Sequence, residues 1–372
     1  MEIRIRLPTR GSLPFHVFRA LGGARFGLKP GGLPRKAHRM VGNSFVASVC
    51  IPTYNRARML QRAVASAQAQ TESRIEIFIS DNASTDETEY VLKRLAEKDL
   101  RIRYAKNFEN KGMVYNWNQC LAEAKAPLMC LLNDDDILDP RAIEIGCSLL
   151  ERHRDAMIVF GAVRHCKDSG SLIKVNRPFN RECVLDPVKA HKTIWLRNCF
   201  QLSHAVFRVA AARAIGGFND EVGWCTDTDF NLRLSARGFV AFSPQEMGTY
   251  IVHSGQLTST DNRQVYRWQR NMVEHVMDDV WEKPELAALR TLAERGYLSS
   301  YTVYFAAAAL RRGQTEKARE FLALTRALGL PISKKHATLY ILLIVSLILP
   351  GGEKCFKTVV GPLLARLAVR LR

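Results

Sequence analysis

Three mostly apolar segments in the first half of the chain each lead directly into a short polar segment. The apolar segments are Phe45 to Ile51, Ile75 to Ile79 and Leu128 to Leu132. Such runs predict strands that are buried on both faces, as in a parallel sheet. The polar segments that follow are Pro52 to Asn55, Asp81 to Ser84 and Asn133 to Asp136. Because the carboxyl ends of parallel strands meet at one edge of a sheet, we expect these polar segments to form one ligand-binding edge.

Segments with helical spacing of apolar residues separate these strands. Residues 57–70 and 112–125 predict helices, and Ser84-x-x-Glu87 resembles a capping box that opens another helix. A short strand is expected at Ile102 to Ala105, and Pro52 is expected to end the first strand. The alternation of strand and helix predicts an α/β fold with a largely parallel sheet flanked by helices.

The second half is less regular. A strand is expected at Met157 to Val163, and a helix that starts near Asp227 is expected to stop at Gly238. A further helical region follows and includes one helical hairpin. We therefore divide the chain into a basic arm (1–44), an α/β domain (45–260), a helical appendage (261–332) and an apolar, basic tail (333–372).

The basic charge lies mainly at the two ends of the chain. The net charge is +18, of which residues 1–40 contribute +8 (nine Lys/Arg, one Glu) and residues 334–372 contribute +6 (seven Lys/Arg, one Glu). In the tail, an apolar run at Leu339 to Leu349 precedes a segment with leucines on one helical face and arginines on another. This pattern favours a helix in a membrane interface, and an ordinary core helix with a basic tail is the alternative. The arm is either a real basic segment or a product of start-site choice, since Met40 precedes the first strand.

The cysteines and the absence of two sequence signals bear on where the protein works. Nine scattered cysteines form no C-x-x-C pair and indicate a reduced protein without a structural zinc site. No apolar stretch follows the basic start as in a signal peptide. We therefore expect a cytoplasmic protein that is peripheral at the inner face of the membrane.

No motif of the kind that reads RNA or DNA accompanies the basic ends, so no nucleic-acid partner is expected.

Asp134, Asp135 and Asp136 are consecutive, and their mutual repulsion requires compensation. Two unit charges 4 Å apart repel by roughly 4 kcal/mol at an effective dielectric constant of 20. A divalent cation such as Mn²⁺ or Mg²⁺ would relieve this repulsion and would suit the oxygen ligands. The alternative is a simple turn before a helix, because aspartate is common in turns and Pro140 is suited to opening a helix.

Several motifs together resemble family 2 inverting glycosyltransferases, which have the GT-A fold and bind nucleotide sugars. They span roughly residues 46–255 in the order that the family has them. The stretches are Val49-Cys50-Ile51-Pro52-Thr53-Tyr54-Asn55-Arg56, Ser80 to Asp86, Asn110-Lys111-Gly112 with Asn116-Trp117-Asn118, Leu132 to Asp136, Gly216 to Asn219, Asp227-Thr228-Asp229-Phe230 and His253. Trp117 itself is expected in the core.

The resemblance implies a role for each matching residue. Asp227 is the expected catalytic base, and Asp135 is the expected metal ligand, joined by His253. The nucleotide sugar is expected to contact Pro52, Thr53, Tyr54, Asn55, Asp81, Asn82, Ser84, Gly112, Asn116, Asn133 and Asp134. The family usually has acidic residues at positions 133 and 226, where this chain has Asn133 and Thr226. Without the resemblance, Asp227 would be interpreted as a helix N-cap and His253 as a structural histidine.

The expected function is metal-dependent, inverting transfer of a sugar from a nucleotide diphosphate to a glycan or lipid-linked acceptor in envelope polysaccharide synthesis. Uridine diphosphate is the expected carrier. The cation would be Mn²⁺ or Mg²⁺. One alternative is a catalytically inactive nucleotide-sugar-binding or scaffold protein, which Asn133 and Thr226 would favour. Another is a nucleotidyltransferase, although the glycine-rich loop expected after its first strand is missing.

Overall fold

A computed structural model of the protein describes residues 45–197, 199–253, 262–273, 278–290, 292–293, 298–311 and 313–327. The predicted arm at 1–44 and the predicted tail at 333–372 lie outside the described residues. No helix among the described residues is both long and apolar enough to cross a membrane.

The described residues contain ten strands and twelve α-helices. The strands are β1 (Ala47–Thr53), β2 (Ile75–Asp81), β3 (Ile102–Lys106), β4 (Leu128–Leu131), β5 (Ile137–Leu138), β6 (Ala156–Lys167), β7 (Leu172–Asn176), β8 (Cys183–Leu185), β9 (Val206–Arg208) and β10 (Phe239–Val252). The first seven helices are α1 (Ala57–Gln68), α2 (Thr88–Lys98), α3 (Met113–Glu123), α4 (Ala142–Arg152), α5 (Pro187–Arg197), α6 (Val209–Ala214) and α7 (Thr226–Ser235). The remaining helices are α8 (Asn262–Asn271), α9 (Asp278–Trp281), α10 (Pro284–Ala287), α11 (Leu298–Arg311) and α12 (Thr315–Ala327).

All ten strands belong to one sheet, whose main order is β3-β2-β1-β4-β9-β6-β10-β5. Strands β3, β2, β1 and β4 are parallel neighbours, as the alternation of strand and helix predicts. The short strand β9 runs antiparallel to both β4 and β6, so β6 points in the same direction as β4. Strand β10 is parallel to β6. The carboxyl ends of β1, β2, β4, β6 and β10 therefore lie at the same edge of the sheet.

The two faces of the sheet bury two separate cores. Alternate residues of a strand point to opposite faces, so Val49 and Ile51 belong to one core and Cys50 to the other. The first core contains the apolar side of α1 and α4, and the second contains α3 and α7. The helices thus cover both faces, and the polar loops are left at the edge. Trp117 is buried in the second core against Phe218, with ring centroids 5.3 Å apart, which confirms the expectation of a core residue.

The prediction that Pro52 ends the first strand is wrong, because β1 continues to Thr53. The carbonyl of Cys50 accepts from the N–H of Leu132 at 2.9 Å, on the side of the neighbouring strand β4. Because alternate residues of a strand direct their backbone groups to the same side, the backbone nitrogen of Pro52 also faces β4. Pairing with β4 ends at Cys50 and Leu131. At position 52 an N–H would therefore have no partner on β4, so proline costs the strand no hydrogen bond there.

Two predicted helix boundaries are also wrong. Helix α2 begins at Thr88, with no side-chain cap, and Ser84 bonds to another loop rather than forming a capping box. Helix α7 ends at Ser235, before Gly238. A Cβ on Gly238 would lie 2.6 Å from the carbonyl oxygen of Asp155, so this glycine permits a close backbone approach.

The predicted helical hairpin is present in the appendage. Helices α11 and α12 pack against each other, with Phe305 and Phe321 buried between them. Gly313, with φ of 76°, lies in the turn that joins them.

Candidate active site

The first polar loop is tied to the acidic loop through Asp134. The hydroxyl of Thr53, at the end of β1, donates to Asp134 Oδ2 at 2.7 Å. Arg56 Nη1 donates to Asp134 Oδ1 at 3.0 Å. Asp134 is buried, and loss of hydration raises its pKa to about 6, although the Arg56 charge opposes this rise. The predicted meeting of the β1 and β4 loops is therefore present in the fold.

Asp135 lies between two basic side chains. Its Oδ2 accepts from Arg56 Nη1 at 2.8 Å and lies 3.1 Å from His253 Nε2. His253 follows directly after β10, so the end of a distant strand reaches the acidic loop. The two residues predicted to hold the metal are thus brought together.

Asp136 fastens the acidic loop to β10. Its Oδ1 accepts from the backbone N–H of Ile251 at 3.2 Å, two residues before His253. Immediately afterwards, Ile137 of β5 pairs with Thr249 of β10. Burial raises the pKa of Asp136 well above its ordinary value, and the neighbouring Asp135 charge adds to the rise. The three consecutive aspartates therefore have three different sets of partners.

The first and second polar loops are joined by a reciprocal set of hydrogen bonds. The N–H of Asn55 donates to Ser84 Oγ at 2.8 Å, and the N–H of Thr85 donates to Asn55 Oδ1 at 2.8 Å. Asn55 and Ala83 both have positive φ, at 52° and 65°. Asparagine tolerates this region, whereas alanine seldom adopts it, and such backbone strain is concentrated at functional sites.

Asp81, at the end of β2, presents a carboxylate oxygen that has no hydrogen-bond partner among the described residues. Its Oδ1 accepts from the N–H of Ser84 at 2.9 Å, whereas the buried Oδ2 is unpaired there. Burial is the main reason that its pKa is raised. An unpaired buried acceptor is costly, which makes a ligand donor at this position favourable.

Asn82, Gly112 and Asn116 connect the β2 loop to the start of α3. Asn82 Nδ2 donates to the carbonyl of Gly112 at 3.0 Å, and Gly112 adopts a φ of 89°. Asn116 is buried; its Nδ2 donates to Ser80 O at 2.9 Å and its Oδ1 accepts from Ser80 Oγ at 2.6 Å. Asn116 therefore holds α3 against β2, and any direct contact with a nucleotide stays a prediction.

Asp227 lies in the first turn of α7 and does not cap it, because the N-cap residue is Cys225. Its Oδ1 accepts from the N–H of Thr228 at 2.6 Å. Burial raises the pKa of Asp227, although the Thr228 donors oppose the rise. One helical turn later, Asn231 Nδ2 lies 3.4 Å from the carbonyl of Phe200, so this side of α7 faces the 200–204 segment.

Ser203, in that segment, is a contact that the sequence did not predict. Its hydroxyl accepts from the backbone N–H of Asn133 at 3.1 Å. The same segment thus contacts the acidic loop on one side and α7 on the other. Arg56 was also missed as a site residue, although it ends the Val49-to-Arg56 stretch that resembles the family.

The donor set at the acidic loop fits a divalent cation that takes only part of its coordination shell from protein. Among the described residues, no group of three or more His, Cys, Asp or Glu side chains is arranged as a complete metal site. Asp135 and His253 offer one carboxylate and one imidazole on a single side of the site. Cations that act on phosphates commonly complete their shell with phosphate oxygens and water. Two protein ligands are therefore sufficient for that type of site.

Residues 48–215 match the model of the family described as Glycosyl transferase family 2. This segment is a family 2 glycosyltransferase domain. It contains β1 to β4, the first two polar loops and the acidic loop. Asp227 and His253 lie beyond the matched segment.

The chain is also similar to named relatives and to solved structures. The chain is 30% identical over 196 residues to the chondroitin synthase of Pasteurella multocida (strain Pm70), a match that covers 52% of this chain and 19% of that protein. The chain thus spans about a fifth of the length of this relative. The chain also resembles in fold Staphylococcus aureus TarS 1–349 in complex with UDP, with a TM-score of 0.59 and 13% identity over 84% of this chain and 90% of that one.

A second solved structure is the mannosyltransferase PcManGT from Pyrobaculum calidifontis in complex with GDP-Man and Mn²⁺. The TM-score is 0.50, with 19% identity over 88% of this chain and 87% of that one. At these identities the likeness shows the fold alone. The expected GT-A-type α/β fold is therefore confirmed.

Proposed function

We propose that the protein transfers a sugar from a nucleotide diphosphate, with uridine diphosphate as the expected carrier, to a glycan or lipid-linked acceptor. One observation carries the proposal. The loops after β1 and β4 and the residue after β10 meet at Asp134 and Asp135, at the carboxyl edge of a family 2 glycosyltransferase domain. Open α/β sheets bind ligands at this edge.

The donor nucleotide would lie along the first two polar loops. The unpaired Oδ2 of Asp81 is suited to accept an N–H of the base, and the exposed ring of Tyr54 is suited to stack on it. Thr53, Asn55 and Ser84 hold these loops in their observed conformation. TarS in complex with UDP, which shares the fold, supports a nucleoside diphosphate as the ligand.

A divalent cation, Mn²⁺ or Mg²⁺, would be held by Asp135 and His253. When bound, the cation would neutralise charge on the departing diphosphate as a Lewis acid. The Mn²⁺ in the mannosyltransferase structure supports this choice of ion. Asp134 is already engaged by Thr53 and Arg56, and it would keep the acidic loop in place beside the donor.

Asp227 would act as the general base. Its carboxylate would take the proton of the acceptor hydroxyl while the hydroxyl oxygen bonds to the anomeric carbon. The bond from that carbon to the diphosphate oxygen breaks on the opposite side, so the configuration inverts. A raised pKa makes a carboxylate a stronger base, which suits this role.

The acceptor would be a growing glycan or a lipid-linked glycan in envelope polysaccharide synthesis. The chondroitin synthase relative supports a polysaccharide product. The basic, apolar tail at 333–372 would bring the enzyme to the inner face of a membrane. Removal of residues 333–372 should abolish co-sedimentation with anionic vesicles, and full co-sedimentation of the shortened protein would contradict this part.

The test is a screen of nucleotide sugars for hydrolysis and transfer with Mn²⁺, Mg²⁺ or EDTA. We expect at least one donor to be turned over, with the activity lost in EDTA and in Asp135→Asn. Asp155→Asn is the matched control, because Asp155 is exposed and immediately precedes β6, at the opposite edge of the sheet. Absence of calorimetric binding for every nucleotide diphosphate in the presence of Mn²⁺ would contradict the proposal. Tight binding with no turnover of any donor would favour the inactive binding protein.

A further inference from the structure

We propose that Arg56 is an internal counter-cation that competes with the divalent ion for the acidic loop until a nucleotide diphosphate binds. In the donor-free protein the guanidinium would neutralise Asp134 and Asp135. When donor and cation bind together, Arg56 would exchange its contact with Asp135 for the diphosphate. This inference rests on the proposed function, because it assumes that Asp135 binds a cation during the reaction.

The first observation is that a single nitrogen of Arg56 bridges two carboxylates. Nη1 lies 3.0 Å from Asp134 Oδ1 and 2.8 Å from Asp135 Oδ2. The two aspartate side chains are only 7% and 13% exposed, so both are largely withdrawn from water. Charged hydrogen bonds in such surroundings are strong, and they compensate the repulsion within the acidic loop.

The second observation is that Asp135 Oδ2 is already shared. It receives Arg56 Nη1 and also lies 3.1 Å from His253 Nε2. A carboxylate oxygen has two lone pairs, so these neighbours occupy both positions. A cation that uses Oδ2 as a ligand must therefore displace the guanidinium or share the oxygen with a like charge.

The third observation is that Arg56 lies beside the loops proposed to hold the donor. It is the N-cap residue of α1 and makes no side-chain cap, and its side chain is 26% exposed. It directly follows Asn55, which belongs to the loop network proposed to hold the donor. A guanidinium forms paired hydrogen bonds to phosphate oxygens as readily as to carboxylates.

The test is the affinity for Mn²⁺, measured by electron paramagnetic resonance with and without UDP. The proteins are wild type, Arg56→Gln, Arg56→Lys and Arg58→Gln. Arg58 is exposed on the same helix, so Arg58→Gln removes the same charge away from the acidic loop. Without UDP, Arg56→Gln should bind Mn²⁺ at least about tenfold more tightly than wild type, because a cation at contact distance has been removed.

UDP supplies the second readout. In wild type it should strengthen Mn²⁺ binding, because the diphosphate gives Arg56 a new partner. In Arg56→Gln this enhancement should shrink by about tenfold or more, since binding of the two ligands is reciprocally coupled. Arg56→Lys should retain most of the competition, and Arg58→Gln should match wild type in both measurements.

The outcomes separate this inference from the proposed function. Mn²⁺ binding that is unchanged or weaker in Arg56→Gln, with wild-type thermal stability, would overturn the role of Arg56 while leaving the cation at Asp135 intact. Mn²⁺ binding to none of the proteins, with or without UDP, would overturn both the cation and the competition. An equal gain of Mn²⁺ affinity in Arg58→Gln would also refute a specific role for Arg56.

Discussion

Replacing Asp227 by Asn removes the proposed base and retains the local hydrogen bonds. Asp227 Oδ1 accepts from the N–H of Thr228 at 2.6 Å and from its hydroxyl at 3.2 Å, and an amide oxygen can accept both. The helix and the position of the side chain should therefore be unchanged. Loss of a positioned base typically reduces turnover by about 10²–10⁴-fold. This corresponds to about 3–5 kcal/mol of transition-state stabilisation.

The assay is initial-rate transfer at saturating donor, combined with calorimetric binding of UDP. We expect kcat to fall by that factor in Asp227→Asn, whereas UDP affinity stays within about twofold because the proposed nucleotide contacts lie on other loops. Asp220→Asn, at an exposed acidic residue before the same helix, should behave as wild type. Asp229→Asn should instead lose stability, since buried Asp229 Oδ2 accepts from Arg233 Nε at 2.9 Å.

The pH dependence of wild type provides an independent check. The proposed base must be ionised to accept a proton, so activity should rise with pH through the pKa of Asp227. Because burial raises that pKa, the rising limb should lie above the range of an ordinary aspartate. Turnover of Asp227→Asn within about threefold of wild type would refute the assignment of the base, since even the low end of the range is about 10²-fold.

Three further predictions concern stability and donor binding. Glu76 is buried and accepts from Ser48 Oγ at 2.6 Å and from Arg103 Nε at 3.1 Å. Glu76→Ala should therefore lower the free energy of unfolding, measured in urea, by about 3–5 kcal/mol. Glu97→Ala, at an exposed position, should leave the free energy of unfolding unchanged. Burial lowers the pKa of His191 to about 4. Below about pH 6.5 the unfolded chain therefore binds more protons than the folded one, and the free energy of unfolding decreases as pH falls. His191→Gln should reduce this decrease between about pH 7 and 5 by about 2 kcal/mol. Tyr54→Ala should weaken UDP binding by about 1–3 kcal/mol without changing thermal stability, and the exposed Tyr90→Ala should leave binding unchanged.

The first half of the fold follows from the sequence because strands β1, β2 and β4 are buried on both faces. The apolar runs at β1, β2 and β4 stand out against the helical spacing between them, and their order predicts the parallel sheet. The convergence of the polar loops follows from this topology, and the contact of Thr53 with Asp134 agrees with it. The errors there concern the strand that the backbone of Pro52 faces and the loop that the hydroxyl of Ser84 contacts, and a single sequence does not contain that information.

The second half was less predictable because long-range pairing determines it. Strand β9 has three residues and fits between β4 and β6 in the antiparallel direction, which no local pattern indicates. Strand β10 pairs with β6 through shifts in register between Ser243 and Gly248. The contact of Ser203 with the backbone of Asn133 depends on that arrangement, so it could not be found by motif.

The fold determines how the charges of the three consecutive aspartates are compensated. Repulsion among them does require compensation, but part of it comes from within the protein. Arg56 bridges Asp134 and Asp135, while the raised pKa of Asp136 favours its neutral form. The need for a nearby positive charge could be predicted from the three carboxylates alone. The Arg56 guanidinium supplies part of this positive charge, and it can do so because β1 and β4 are neighbouring strands.

Asp136 also explains why the site cannot be confined to the segment that matches the family. That segment ends at residue 215, before the proposed base and before β10. Its acidic loop is nevertheless held by the N–H of Ile251, and this bond lies two residues from His253. Strand β10 and the acidic loop therefore position each other. Strand β10 orients the acidic loop, and the acidic loop brings His253 to Asp135. A change in β10 that breaks this register would affect the proposed cation ligands and the Arg56 contact together, although neither Asp135 nor Arg56 belongs to β10.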